Sequence, residues 1–291
     1  MLCVVWSDVA DEIAGGEAIM SHRRLASPEL LFDADLAAPL TVRLGAHDVS
    51  YWCARCPGKA GPNEDSMAVV PVSGERSVVV VADGFGGQPA GDRASQVAVQ
   101  TIVDRVCGVG GGGELREAIL DGFEEANRQV LGMEVGAATT LAVVELEGET
   151  YRSYHVGDSE MLVIGQRGRY KYQTISHSPV GHGVEAGLIS PDEAIHHEYR
   201  NLVSNMVGLS EMRIDIGPRL VFAPRDTLIV GSDGVFDNLS ADEVGNCIRK
   251  GALPKVSGKL VDSIRGRMAV VDSHVPHKPD DVTFAVVRPA T

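Results

Sequence analysis

The chain predicts an α+β fold built on two antiparallel sheets covered by helices. Three observations predict it. Strand-like segments cluster rather than alternate with helices, helical segments come in pairs, and 291 residues suffice for a large buried core. From about Thr41 the pattern is sharp. "TVRLGAHDVSYWCA" reads as one or two strands, and "SMAVVPV" and "SVVVVAD" follow as strands. "PAGDRASQVAVQTIVDRVC" and "ELREAILDGFEEANRQVLG" then carry apolar residues at helical spacing. A β-rich run follows in "TTLAVVELEGETYRSYHVG", "MLVIG" and "RYKYQTIS", with a tight turn at "EGET".

Residues 176–212 form a polar interruption. Inside it Ser190 is placed to cap a short helix, with Pro191 first in the helix and Glu193 completing a capping box. Strands return in "RIDIGPRLVF" and "DTLIVGSD". Two helices come next, one capped by Ser240 and Glu243, and "DVTFAVVR" closes the pattern as a strand. The first residues differ. Residues 1–36 hold seven acids against two bases, with weak periodicity, so 1–44 is expected to be an extension.

Composition excludes several functions. A net charge of −14 argues against a general nucleic-acid binder. No apolar run approaches the ~18 residues of a membrane span, and the acidic start makes a poor secretory signal. Five cysteines in so long a chain predict reduced thiols and a cytoplasmic setting. "GVGGGGE" lacks the ending of a phosphate-binding P-loop, "GFGGQPAG" is not a dinucleotide fingerprint, and the pair Cys53 and Cys56 has no second pair to complete a zinc site.

The acids are more informative. The apolar strand "SVVVVAD" ends in Asp83, and "TLIVGSD" ends in Asp233, each followed by glycine. Asp158 follows another strand, Asp280 and Asp281 precede the last one, and Glu64 and Asp65 sit in an early loop. An Asp-Gly pair alone is ordinarily a turn. So many carboxylates at strand ends would repel one another unless cations compensated them, and hard divalent cations take such oxygen ligands.

The ordered motifs "NEDS", "VADGFGGQPAGDRAS", "GAATTLAVV", "HVGDSE", "HSPVGHGVEAGLISPDEA", "LIVGSDGVFDNLS" and "PDDVTFAVV" resemble the metal-dependent protein phosphatases (PPM, type 2C serine/threonine phosphatases) of bacterial type. The likeness spans roughly residues 45–288, and seven motifs in the family's order are highly specific. It implies a β-sandwich of two antiparallel sheets flanked by pairs of helices, a four-layer αββα domain over 45–291, with residues 176–212 as its flap. It implies hydrolysis of phosphoserine and phosphothreonine in proteins by a metal-activated water, without a covalent intermediate. Two Mn²⁺ or Mg²⁺ ions are implied, with a third, weaker one. By the same resemblance Asp83 bridges both metals, Gly84 ligates through its carbonyl, and Asp233 and Asp280 complete one metal. Glu64 and Asp65 lie near the second, and Asp158 helps hold the third. Asp281 takes the place of a usual Asn.

Two departures stand out. Where the family carries a phosphate-holding arginine this chain has Ala60, so Lys59 and Arg55 become the phosphate-binding candidates. Where some members carry a histidine after the aspartate and glycine, Phe85 stands. The expected partner is a phosphorylated protein, opposing a serine/threonine kinase, with the enzyme monomeric. The alternative is a catalytically weak or inactive module that binds phosphoproteins.

Overall fold

A computed structural model describes residues 22–85, 90–109, 112–194, 196–270 and 277–290. In chain order the first strands are β1 (Arg23–Arg24), β2 (Glu29–Phe32), β3 (Leu40–Leu44), β4 (His47–Ala54), β5 (Asp65–Ser73) and β6 (Arg76–Asp83). Helices α1 (Gly91–Gly108) and α2 (Leu115–Leu131) follow, then β7 (Leu141–Glu147), β8 (Thr150–Val156), β9 (Glu160–Gly165) and β10 (Tyr170–Gln173). The polar segment holds α3 (Pro179–Glu185) and α4 (Pro191–Ala194). The remainder is β11 (Asp215–Ile216), β12 (Leu220–Val221), β13 (Asp226–Gly231), α5 (Asp233–Phe236), α6 (Ala241–Ile248), α7 (Leu253–Met268) and β14 (Val282–Pro289).

The strands form two sheets. One runs β1-β3-β4-β14-β13-β9-β10; the other runs β11-β8-β7-β6-β5-β2, with β12 also on β8. All pairings are antiparallel except β1 with β3. The expected two-sheet α+β architecture is what forms.

The valine run of β6 shows why. Alternate side chains of a strand face opposite sides. Val79 and Val81 pack between the sheets with Met67, Val144, Val230 and Ala285. Val78, Val80 and Ala82 pack outward against α1 and α2 through Ala98, Ile102, Ile119 and Phe123. Both faces are buried, so the run is apolar without alternation. The other sheet repeats this: Leu228 and Val230 of β13 face inward, while Ile229 joins Trp52, Phe284, Leu260 and Ile264 beneath α6 and α7. Four layers, αββα, result.

Part of the expected 1–44 extension is ordered against the two sheets. Within 22–44, β1 and β3 extend one sheet and β2 pairs with β5 at the edge of the other. Short strands with half-exposed side chains leave little periodicity to read. Residues 1–21 lie outside the described residues. Both capping boxes form: Ser240 Oγ accepts from the Glu243 amide, and Ser190 Oγ from that of Glu193.

Candidate active site

The acids gather where strand ends from both sheets meet. Asp83 ends β6 and Asp65 begins β5, and the two stand directly opposite in the ladder. Like charges so placed repel. The backbone holds Asp83 there: its amide donates to Thr140 Oγ1 at 2.9 Å, and its carbonyl accepts from Thr139 Oγ1 and the Thr140 amide, each at 2.8 Å. Thr140 Oγ1 also meets Ser159 Oγ at 2.7 Å, tying in the loop that carries Asp158.

Gly84 must be glycine, because a Cβ there would lie 2.2 Å from the Gly91 carbonyl oxygen. That close approach brings the start of α1 onto Glu64, whose carbonyl accepts from the Gly84 amide at 3.1 Å and from Ser95 Oγ at 2.6 Å. From the other sheet, Ser232 Oγ donates to Asp65 Oδ2 at 2.8 Å and sets Asp233 at the start of α5.

The carboxyls sense one another. Burial, then Asp233, Asp65, Asp280 and Asp158, push Asp83 well above the usual carboxylate range. Burial raises Asp65 as well, helped by Asp281, Asp280 and Asp233 and opposed by the Ser232 hydroxyl. Burial and Asp233 raise Asp280. Burial, Asp233 and Asp237 push Asp158 up to about 8. Of the sequence-predicted metal residues, the site thus gathers Asp83, Gly84, Asp233, Asp280, Glu64, Asp65 and Asp158.

Two members of the cluster were not anticipated. Asp237, pushed up to about 6 by burial and Asp233, lies one helical turn after Asp233. The spacing in "DGVFD" was the available signal, since residues four apart share a helix face. The second is Lys278. Its ammonium contacts Asp233, Asp280 at 3.0 Å and Asp237 at 3.1 Å. Burial works against its charge, but these acids outweigh that and raise its pKa.

Lys59 and Arg55 border the cluster with their donors engaged. Lys59 Nζ contacts Glu64 at 2.7 Å and Asp281 at 2.6 Å. Asp281 also accepts from the Cys56 amide at 2.8 Å and the Glu64 amide at 2.7 Å, so it organises the loop that carries Glu64. Arg55 Nη1 donates to the Gly61 carbonyl at 3.0 Å.

The 176–212 segment lies over the cluster. A cleft of about 490 Å³ lies between them, its lining including Asp158, Asp233 and Asp237. Buried His177 anchors the segment: its Nδ1 accepts from the Gly157 amide at 3.0 Å and from Asn205 Nδ2 at 2.8 Å, while its Nε2 faces Asp215 at 3.1 Å. His155, His177 and Asp215 lie close enough to hold an ion. The hydrogen bonds argue for a different role. A ring whose Nδ1 accepts carries its proton on Nε2, so His177 turns an N–H, not a lone pair, toward the Asp215 carboxylate 3.1 Å away. The trio is a latch for the segment.

The fold defines a class first: an αββα sandwich like those of bacterial serine/threonine phosphatases. The solved structure of the Streptococcus agalactiae serine/threonine phosphatase is similar at TM-score 0.72 and 24% identity, covering 84% of this chain and 100% of that one. The catalytic domain of the protein phosphatase PstP, solved in complex with 2 manganese ions, is similar at TM-score 0.64 and 24% identity, covering 83% and 97%. Residues 58–250, more than half of the 291, match the family described as protein phosphatase 2C, and the chain belongs to that family. Among relatives, a putative protein phosphatase 2C-type of Streptococcus pyogenes is 28% identical over 229 residues, 73% of this chain and 85% of the relative. Protein phosphatase PhpP of Streptococcus pneumoniae is 30% identical over 188 residues, 60% of this chain and 73% of the relative. No helix among the described residues is long and apolar enough to cross a membrane.

Proposed function

We propose that this chain hydrolyses phosphoserine and phosphothreonine in proteins with the help of divalent cations held by the acid cluster. One observation carries the reading. Asp65, Asp83, Asp158, Asp237 and Asp280 all have carboxyl pKa values raised by burial and by neighbouring acids, while an ammonium sits among three carboxylates. Oxygen donors so crowded fit Mn²⁺ or Mg²⁺. Asp83, the Gly84 carbonyl, Asp233 and Asp280 would hold one ion, Asp83 with Glu64 and Asp65 a second, and Asp158 a third, weaker one. Bound there, such cations would lower the pKa of a water toward neutrality and clamp the phosphoryl oxygens.

The protein's own residues supply the rest. Asp83, fixed by Thr139 and Thr140, orients the site and keeps its carboxylate between Asp65 and Asp233. Asp281 and Lys59 hold the Glu64 loop. Lys59 and Arg55 stay the candidates for steadying phosphate, and the contacts that now hold them imply a looser clamp than a free guanidinium would give. Phe85 has no ionisable proton to give, so the leaving alkoxide takes one from water. Attack by water leaves no covalent enzyme intermediate. The 176–212 segment is the flap beside the bound phosphoprotein, and a serine/threonine kinase supplies that substrate.

The test is hydrolysis of p-nitrophenyl phosphate and of a phosphothreonine peptide in millimolar Mn²⁺ and then in chelator. Turnover is expected in Mn²⁺ and loss in chelator. Full activity after exhaustive chelation overturns the cation reading. Phosphopeptide binding without turnover in Mn²⁺ selects the alternative of an inactive binding module, which Ala60 and the engaged Lys59 favour.

A further inference from the structure

The cleft under the 176–212 segment is acidic and apolar at once. Beyond the catalytic cluster its walls carry three further carboxylates, Glu160, Glu185 and Asp242. Arg200 is the cation among its lining residues. The lining also holds apolar surface from half-buried Val184 and Phe236, backed by buried Val180 and Leu239. Two of the carboxylates are fixed in place. Gln173 Nε2 donates to Glu160 Oε2 at 2.9 Å, and the Tyr170 hydroxyl donates to Asp242. Neither bond uses both oxygens of its carboxylate.

This combination has a specific complement. Lysine and arginine lay an apolar stem along apolar surface and extend a charged head beyond it. A volume of about 490 Å³ has room for such a side chain together with neighbouring peptide. The cleft is continuous with the cluster through Asp158, Asp233 and Asp237, so a side chain bound there would belong to the same substrate segment as the phosphate. We propose that the cleft binds a lysine or arginine flanking the phosphoresidue, making this enzyme selective for basic phosphosites. Stem contacts with Val184 and Phe236 supply the hold. Glu185 and Asp242 supply the sign of the selectivity, Glu160 adding less because burial pushes its carboxyl up to about 7, and an acidic side chain there meets like charge. The proposal rests on the phosphatase reading above.

The experiment uses the full chain with Mn²⁺. Phosphothreonine peptides in an alanine background carry lysine, alanine or glutamate at successive positions on either side. p-Nitrophenyl phosphate is run in parallel. Lysine at one or more positions is expected to raise kcat/KM roughly tenfold over alanine, with glutamate lowering it, a difference of about 1.4 kcal/mol. Glu185 and Asp242 are exposed, so the double variant Glu185→Lys/Asp242→Lys should fold, and in it the order of the peptides reverses. Equal rates for all peptides alongside good p-nitrophenyl phosphate turnover overturn the cleft proposal and spare the phosphatase reading. Absence of any turnover overturns the phosphatase reading instead. Fluorescence anisotropy of the same labelled peptides then reads the cleft directly: tighter lysine peptides uphold it, and equal binding overturns it.

Discussion

Replacing Lys278 with methionine should make the cation-free protein markedly less stable and its divalent-ion binding tighter. The ammonium sits 3.0 Å from Asp280 and 3.1 Å from Asp237, and it also contacts Asp233. Each such pair is worth about 5 kcal/mol of attraction at an effective dielectric of about 20. Desolvation of the ammonium and the mutual repulsion of the acids offset most of that. Breaking a buried pair costs about 3–5 kcal/mol, and the Lys278 side chain keeps 24% of its exposure, which lowers the expectation to about 2–4 kcal/mol. For a chain of this size that corresponds to a Tm about 5–10 °C lower in chelator. The same substitution removes a tethered competitor, so Mn²⁺ should bind at least about tenfold more tightly, a gain of about 1.4 kcal/mol. Circular dichroism melts in chelator and calorimetric Mn²⁺ titrations measure the two effects. An unchanged Tm together with an unchanged affinity would refute the argument.

Asp233→Asn should cut turnover by at least ~100-fold, since charge stabilisation worth several kcal/mol is lost; a variant as active as the parent in a steady-state assay removes Asp233 from the site. Lys59→Met leaves the 3%-exposed Asp281 carboxylate without its cation, still held by the Cys56 and Glu64 amides, and should cost about 3 kcal/mol, whereas adding Asp281→Asn should recover most of it. Urea unfolding of the four proteins in that cycle gives the coupling, and additive losses would show that the pair is not a unit. Stability in chelator should fall as pH rises. Asp158 at about 8 and Asp237 at about 6 lie above the ordinary carboxyl value of ~3.9, so between these values the folded state holds protons that the unfolded state has released. Their contribution is therefore most favourable below about pH 4 and is lost by about pH 8. Urea midpoints at pH 5 and 8 measure it; Asp158→Asn should flatten the slope, and an equally steep slope in that variant speaks against the assignment.

Much of the site was legible because its chemistry contradicts its surroundings. A valine run that ends in Asp83, and another apolar strand that ends in Asp233, are conspicuous when strand ends bring acids together. The sheets were legible because both faces of β6 and β13 are buried, which forces continuous apolar runs. Lys278 was not legible, since a lysine two residues before an aspartate reads as solvated surface until α5 brings Asp233 and Asp237 to it. Asp237 depended on recognising one turn of helix where an Asp-Gly turn was the simpler reading. The strands before Thr41, β1 and β2, escaped for a different reason. They lie at sheet edges, and their pairing with β3 and β5 is long-range information that local periodicity does not carry.

The place of β14 governs when the molecule can assemble during synthesis. It lies between β4 and β13, in the interior of its sheet, and contributes Phe284 and Val286 beneath α7. Until residue 289 has been synthesised, β4 and β13 lack the strand that joins them. The sheet of β5–β8 suffers no such delay, because its neighbours follow one another along the chain. A nascent chain therefore completes one half of the sandwich first and holds the other half open, its apolar inner face a target for chaperones. Asp280 arrives with that last strand, so the carboxylate cluster closes only as the second sheet does, and an unfinished chain has no complete site.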